Sequence, residues 1–389
     1  MKKTTQNIFI FRTLFIVLAL SFVGCGDDTA FVEVEKTPPA PVDLEQIAEP
    51  VKEAEVEIST TEDGKTIEMN LTQAPNAKVD ILWVIDNSAS MKPLQTSLRQ
   101  NISAFIQELT KTKLNFNIGI TTTDVCDKRP SASLDERRCP EEVRNRDGEK
   151  GSLVGKAGLR VMKSGDADVI ERFGQNANLG TNGSSFEHGL TAVEMAVKKS
   201  LGGENDNFVR EGSFLSVIVV SDEEDDGVGL GRANEQGINY IAKGLTRYEY
   251  NADHIISYLD GVKGRGHYGI NAITGTRGED GQLCKYPNGT INEEGAEYIL
   301  ASQKSAGMVE SICDQDWSRS LQRIGEGLNA QIDSVVLPKW PTKDSIRVHV
   351  DGELYSHWTY VVQRNSIQFE KGFVPAHGAQ IKIVFTPVN

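Results

Sequence analysis

Several absences narrow the field before any motif is read. The most apolar run, residues 14–23, is too short to span a bilayer, which takes roughly 20 residues of helix. Basic excess is lacking: 41 Lys and Arg stand against 55 Asp and Glu, a formal charge of −14 at pH 7. Lys2, Lys3 and Arg12 lie in an N-terminal stretch without acids, so the remainder is more acidic still. A surface of that sign repels nucleic acid and anionic lipid and suits cations or basic partners, which argues against nucleic-acid binding. Enzyme signatures are missing too. The chain has no Gly-x-Ser-x-Gly elbow and no His-Glu-x-x-His helix, and its six His are scattered. Gly264-Arg265-Gly266-His267-Tyr268-Gly269 has dinucleotide-fingerprint spacing, but it precedes a strand instead of following one and reads as a turn. No catalytic residue is expected.

Cysteine is scarce, and no Cys-x-x-Cys pair supports a zinc site. Residues 1–24 have the basic start and short apolar run of a signal peptide. They lead into Phe22-Val23-Gly24-Cys25, which resembles a bacterial lipobox. The resemblance implies cleavage before Cys25 and acylation of its thiol, with an ordinary secretory peptide as the alternative. Gly26 stands where an Asp would signal inner-membrane retention, so the expected place is the outer membrane, periplasmic or surface-exposed. Export permits disulfides among Cys126, Cys139, Cys284 and Cys313. Of three connectivities, Cys126–Cys139 with Cys284–Cys313 is preferred, because each pair closes a short irregular loop.

Residues 25–57 are acidic and proline-rich without apolar periodicity, the composition of a disordered tether. Residues 58–75 read as a hairpin turning at Asp63-Gly64. Its Lys65-Thr66 is no phosphate loop, since Ser59 stands where the first Gly is required. The stretch Val79 to Met91 then organises the chain. Ile81 to Ile85 is a continuous apolar run suited to a strand buried on both faces of a parallel sheet. Asp86, Ser88 and Ser90 follow at alternate positions, where open α/β sheets place ligands. Closely spaced hard oxygen donors suit a divalent cation of the Mg²⁺ type.

Helical spacing follows from Leu94 to Leu109. Alternation over residues 114–120 predicts a strand with one less buried face. Residues 126–180 read as loop. Phe186, Leu190, Val193, Val197 and Leu201 outline a second helix, and residues 214–220 a second buried strand that ends in Ser221-Asp222. Glu223, Glu224, Asp225 and Asp226 read as a solvated acidic rim in preference to a second, Ca²⁺-like site. Helices are expected over residues 253–262, 293–305 and 321–332, and strands over 267–273 and 308–312. After Asp333 the period changes to two, pointing to a small antiparallel sandwich that the early hairpin completes. The expected fold class is α/β, a doubly wound and mostly parallel sheet with helices on both faces, plus a small C-terminal antiparallel β-sandwich. The expected domains are 58–75 with 334–389 as the β-part and 76–333 as the α/β part, with loop insertions at 125–180 and 223–250.

Asp86-x-Ser88-x-Ser90 after a buried strand and before an amphipathic helix resembles the metal-ion-dependent adhesion site of von Willebrand factor type A domains. The resemblance covers roughly residues 77–333. It implies three loops at the C-terminal edge of one sheet, with both serine hydroxyls on the cation and Asp86 acting through a bound water. Counting back from Gly189-Leu190 gives Ser184 as the second loop's donor, with Thr181 as the alternate. The third loop gives Asp222. The resemblance further implies Mg²⁺, with Mn²⁺ or Ca²⁺ as alternatives, and a partner protein that offers an Asp or Glu carboxylate to the ion. Two plainer readings compete. Ser88 and Ser90 could simply cap the following helix. Alternatively, the chain could be a structural envelope protein without a working metal site, interacting through its β-domain.

Overall fold

The computed structural model describes residues 56–61, 65–73, 78–111, 114–125, 148–184, 187–225, 251–286, 293–342, 344–376 and 378–388. The signal peptide, Cys25, the tether up to residue 55, Asp63-Gly64, Cys126, Cys139, Phe186, Asp226 and His377 lie outside these residues. The chain forms β1 (Val56–Thr60), β2 (Ile67–Thr72), β3 (Lys78–Ile85), α1 (Lys92–Lys111), β4 (Asn115–Thr122), β5 (Met162–Lys163) and α2 (Val169–Asn176). Then come α3 (Gly189–Leu201), β6 (Phe214–Ser221), α4 (Ala252–Val262), β7 (Tyr268–Thr274), α5 (Ala296–Lys304), β8 (Val309–Ser311) and α6 (Trp317–Ile332). The last part holds β9 (Ser334–Val336), β10 (Arg347–Val350), β11 (Glu353–Tyr355), β12 (Trp358–Val361), β13 (Ser366–Phe369) and β14 (Gln380–Phe385).

Six strands form one sheet in the order β5-β4-β3-β6-β7-β8, parallel except for β5, which runs antiparallel to β4. The pleat sorts the side chains of β3 into two cores. Val79, Ile81, Trp83 and Ile85 pack with α1, α2 and α6, whereas Leu82 and Val84 pack with α3 and α4 on the opposite face. Trp83 anchors the first core, fully buried and edge-on to Phe105 and Phe173, both with ring centroids 5.3 Å away. Each such aromatic pair adds about 0.5–1.5 kcal/mol beyond its buried area. Doubly wound α/β architecture is thus fixed by strands that are apolar on both sides.

Three local expectations need correction. β4 is buried on both faces, not one. Its second face lies under Leu153 and Phe208, and a Cβ at Gly119 would approach the Leu153 methyls to 2.9 Å. The stretch 126–180 is not all loop, since β5 and α2 fall within its described part. In α2, Val169 and Phe173 bury one turn apart against the first core, a stripe too short to stand out as periodicity. Leu201 closes α3 but is 58% exposed, so the apolar stripe of that helix ends before it.

The antiparallel part has two sheets, β1-β2-β14-β10-β11 and β12-β13-β9. β2 precedes the parallel sheet in sequence, yet it pairs with the last strand from Ile67↔Phe385 to Thr72↔Gln380. Alternate residues Ile67, Met69 and Leu71 meet Ile381, Ile383 and Phe385 in a shared core with Ile367 and Phe369 of the smaller sheet. Of the residues predicted to carry period two, Ile346, Val348, Ile367, Phe369, Ile381, Ile383 and Phe385 are buried there, and Val350, Trp358 and Tyr360 are half-buried against them. Val362 is the exception. It lies in a short 3-10 turn and is 58% exposed.

Candidate metal centre

Parallel register brings the first and third loops side by side. Ile85 pairs with Val220, and the Asp86 N–H donates to the Val220 carbonyl at 2.9 Å. Both strands therefore end at one level, with Asp86, Ser221 and Asp222 leaving the sheet together. The Asp86 carboxylate is fully buried. Its Oδ1 accepts the Ser88 N–H at 2.7 Å, and its Oδ2 accepts the Ser221 hydroxyl at 3.0 Å. Ser90 donates its hydroxyl to Asp222 Oδ1 at 3.0 Å, and the Ser88 hydroxyl lies 3.0 Å from that of Ser90. Ser88 donates to Ser90 in this relay, because the proton of Ser90 is committed to Asp222. Ser90 is exposed, whereas Asp86, Ser88 and Asp222 are buried, so the cluster opens to solvent on the Ser90 side.

The capping alternative for the serines finds no support in this geometry. Ser88 precedes a short 3-10 turn over Ala89–Met91 and makes no side-chain cap bond. The Ser90 hydroxyl is turned toward the carboxylate of a loop 132 positions away, and the Ser88 hydroxyl toward that of Ser90.

The second loop docks onto the first. Gly183 donates its N–H to the Asn87 carbonyl at 2.9 Å, and Gln95 of α1 donates to both the Asp86 and Gly180 carbonyls at 3.0 Å. Only glycine fits at 183, where a Cβ would lie 2.1 Å from Asn87 Oδ1. Ser184, the next residue, is fully buried, while Thr181 is half-buried on the outer turn. Hydrogen bonds thus join Asp86, Ser88, Ser90 and Asp222 in one cluster, and Ser184 stands one residue from the contact that holds its loop there.

Electrostatics sets this rim apart. Burial, reinforced by the charge of Asp222, pushes the Asp86 carboxyl up to about 7, against the lowering pull of its Ser88 and Ser221 donors. Glu187, between the second loop and α3, is also fully buried, and both its carboxylate oxygens lack a hydrogen bond of normal geometry. Burial foremost, then the charge of Asp86, raises its carboxyl well above the ordinary range, with the Thr123 hydroxyl acting in the opposite sense. Asn87 Oδ1 is a further buried acceptor without a donor. Among the described residues, no basic side chain forms an ion pair with Asp86, Glu187 or Asp222. Nor do three His, Cys, Asp or Glu side chains there converge tightly enough to hold an ion by themselves. Any hard cation here would draw on hydroxyls as well as on the two aspartates.

Of the acids after Asp222, Glu224 and Asp225 are not part of a solvated rim, and Asp226 lies outside the described residues. Asp225 is buried and accepts the Leu190 N–H at 2.8 Å, at the start of α3. Glu224 accepts the Ala296 and Glu297 N–H groups at 2.8 and 3.0 Å, at the start of α5. The acids face the positive ends of two helices, whose first N–H groups lack partners within the helix. Residue counting registers the charges but cannot show which helices they face.

Sequence reasoning missed Ser221, Glu187, Gln95 and Tyr286. Ser221 carried a usable signal, standing beside Asp222 at a strand end. Tyr286 carried none. Its phenol reaches Asp222 Oδ2 at 2.9 Å from a loop 64 positions away. The predicted Cys284–Cys313 disulfide is present close by, with Cα atoms 5.9 Å apart. The other predicted pair lies outside the described residues.

No protein-family model matches the chain, and no curated protein matches it in sequence. Among solved structures it is similar to a von Willebrand factor type A protein from Catenulispora acidiphila, at 13% identity and a TM-score of 0.36, covering 87% of this chain and 66% of that one. It is also similar to the pilus adhesin SpaC from Lactobacillus rhamnosus GG. The open conformation gives 9% identity and a TM-score of 0.38 over 85% of this chain and 42% of that one. A second form gives 11% and 0.38 over 85% and 43%. The chain spans less than two thirds of the length of each.

Proposed function

We propose that this chain is a cell-envelope adhesion protein that binds a divalent cation at the three-loop rim and engages an acidic side chain of a partner protein there. One observation carries the reading. Asp86, Ser88, Ser90 and Asp222 form a single hydrogen-bonded cluster at the C-terminal edge of the parallel sheet. Buried negative charge around it has no basic counterpart among the described residues. Burying charge without a counter-ion is expensive, so a cation at this rim would stabilise what the fold otherwise strains to hold.

The donors in question are the Asp86 and Asp222 carboxylates and the Ser88, Ser90 and Ser184 hydroxyls, with Thr181 as the alternate for Ser184. Two carboxylates and neutral hydroxyls suit Mg²⁺ first, with Mn²⁺ and Ca²⁺ as alternatives. Bound there, the ion would supply a Lewis-acidic position for a partner's Asp or Glu. The protein's own part is to orient the hydroxyls through Asp222 and to exclude water beneath Asp86. This is recognition rather than catalysis. No described helix is long and apolar enough to cross a membrane. In this proposal the lipidated Cys25 holds the protein at the outer membrane.

Isothermal titration of Mg²⁺ and Mn²⁺ into the full chain tests the reading. The expected result is stoichiometric binding by the unaltered protein and loss of at least tenfold in affinity in Asp86→Ala. Equal behaviour of the two proteins would sink it. A second reading, partner binding through the β-domain without a working metal site, has one observation in its favour. The edge strands β1 and β11 expose Val56, Ile58 and Leu354, the last at 68%. Partner capture that survives Asp86→Ala would favour that reading.

A further inference from the structure

The two oxygens of Asp222 are divided between different elements of the chain. Oδ1 takes the Ser90 hydroxyl at 3.0 Å, on the side of the serine relay, and Oδ2 takes the Tyr286 phenol at 2.9 Å. Tyr286 belongs to the segment that leaves the C-terminal end of β7, the same edge of the sheet. That segment folds back on itself. Arg277 bridges to Leu283, Gly278 donates to the Gln282 carbonyl at 2.9 Å, and Cys284 donates its N–H to the Thr276 carbonyl at 2.9 Å. The Cys284–Cys313 disulfide then ties the segment to the residues just after β8, two positions before Tyr286. Cys284, Tyr286 and Cys313 all pack on the first hydrophobic core. The phenol is therefore delivered to Asp222 by a covalently clipped loop that rests on a rigid layer.

Ca²⁺ tolerates six to eight oxygen ligands and accepts carboxylates through both oxygens, whereas Mg²⁺ demands near-octahedral geometry and takes a carboxylate through one. A donor fixed on Oδ2 competes with chelation through that atom and turns Oδ1 toward the serines. We infer that Tyr286 is the residue that sets cation preference at this rim, holding Asp222 to single-oxygen contact and thereby favouring Mg²⁺ over Ca²⁺, with the Cys284–Cys313 bridge keeping it in place. The inference rests on the cation reading of the preceding subsection. Tyr286 acts through Asp222 and is a positioning residue.

The test is the ratio of Mg²⁺ to Ca²⁺ affinity, measured by titration on the full chain, on Tyr286→Phe and on the double variant Cys284→Ser/Cys313→Ser. Removing a group that orients a metal ligand changes metal affinity about 10–100-fold. Tyr286→Phe is expected to shift the ratio toward Ca²⁺ by about tenfold. The double variant, and the unaltered chain treated with a thiol reductant, shift it in the same direction. The reductant arm reads the same ratio even if a variant fails to fold. A merely structural role for Tyr286 would weaken both ions equally and leave the ratio unchanged, and that result overturns the inference alone. Binding of neither ion by the unaltered chain overturns the cation reading and this inference with it.

Discussion

Strand β3 carries a fully buried aspartate near its start and another just past its end, and the two live in opposite surroundings. Asp80 accepts the Arg210 backbone N–H at 2.6 Å, the Arg210 Nε at 2.7 Å and the Ser213 hydroxyl. Arg210 in turn reaches Asn115 and the Val79 carbonyl, so the charge at this end is paired and its partner is anchored. Asp86 receives one N–H and one hydroxyl, faces Asp222, and is pushed up to about 7. One aspartate is built as a structural ion pair. The other is held as a buried acid beside further acids, an arrangement that gives a fold no advantage unless something positive comes to it.

The largest expected effect breaks the paired end. Asp80→Ala strands Arg210 against a desolvated edge and should lower the unfolding free energy by about 3 kcal/mol, read from a urea melt. A loss under about 1 kcal/mol would mean that the pair contributes no more than a surface bridge. The next tests the other end in the presence of EDTA. Because the folded pKa of Asp86 is raised to about 7, the native state retains a proton that the unfolded state has released. Stability is then full below the unfolded value near pH 4 and is lost as pH rises through about 7, by roughly 1.4 kcal/mol per unit between them. Asp86→Asn should flatten that slope in pH-dependent melts, leaving the part contributed by the buried Glu187, and an unchanged slope would refute the assignment. The smallest expected effect concerns the caps. Asp225→Ala, which frees the Leu190 N–H, should cost about 1 kcal/mol without altering cation affinity, measured by melt and titration. A drop in affinity as large as that of Asp86→Ala would place Asp225 inside the site.

Much of this architecture is legible along the chain. Runs that are apolar on both faces announce β3 and β6, and residues with hard oxygens at their ends announce Asp86, Ser88, Ser90 and Asp222. Cys284 and Cys313 were paired by the loop they close. Other features were misread for identifiable reasons. β4 was expected to have a more open face, because the cover supplied by Leu153 and Phe208 comes from segments with no periodicity of their own. Glu224 and Asp225 read locally as solvent-facing charge, because the helix starts they cap lie 72 and 35 positions away, respectively. Tyr286 was passed over because no local pattern distinguishes a tyrosine that meets Asp222 from one that meets water.

The amino-acid order alone settled where the long buried strands run, which residue types stand at their tips, and the acidic sign of the whole. These follow from side-chain period and composition, which are local properties. Tertiary structure decided which acid receives a partner. Arg210 comes to Asp80 from 130 positions away, and Ser90 to Asp222 from 132. Hydrogen bonds and charges act across a few ångströms of space, and only the folded arrangement of strands and loops determines what lies within that reach.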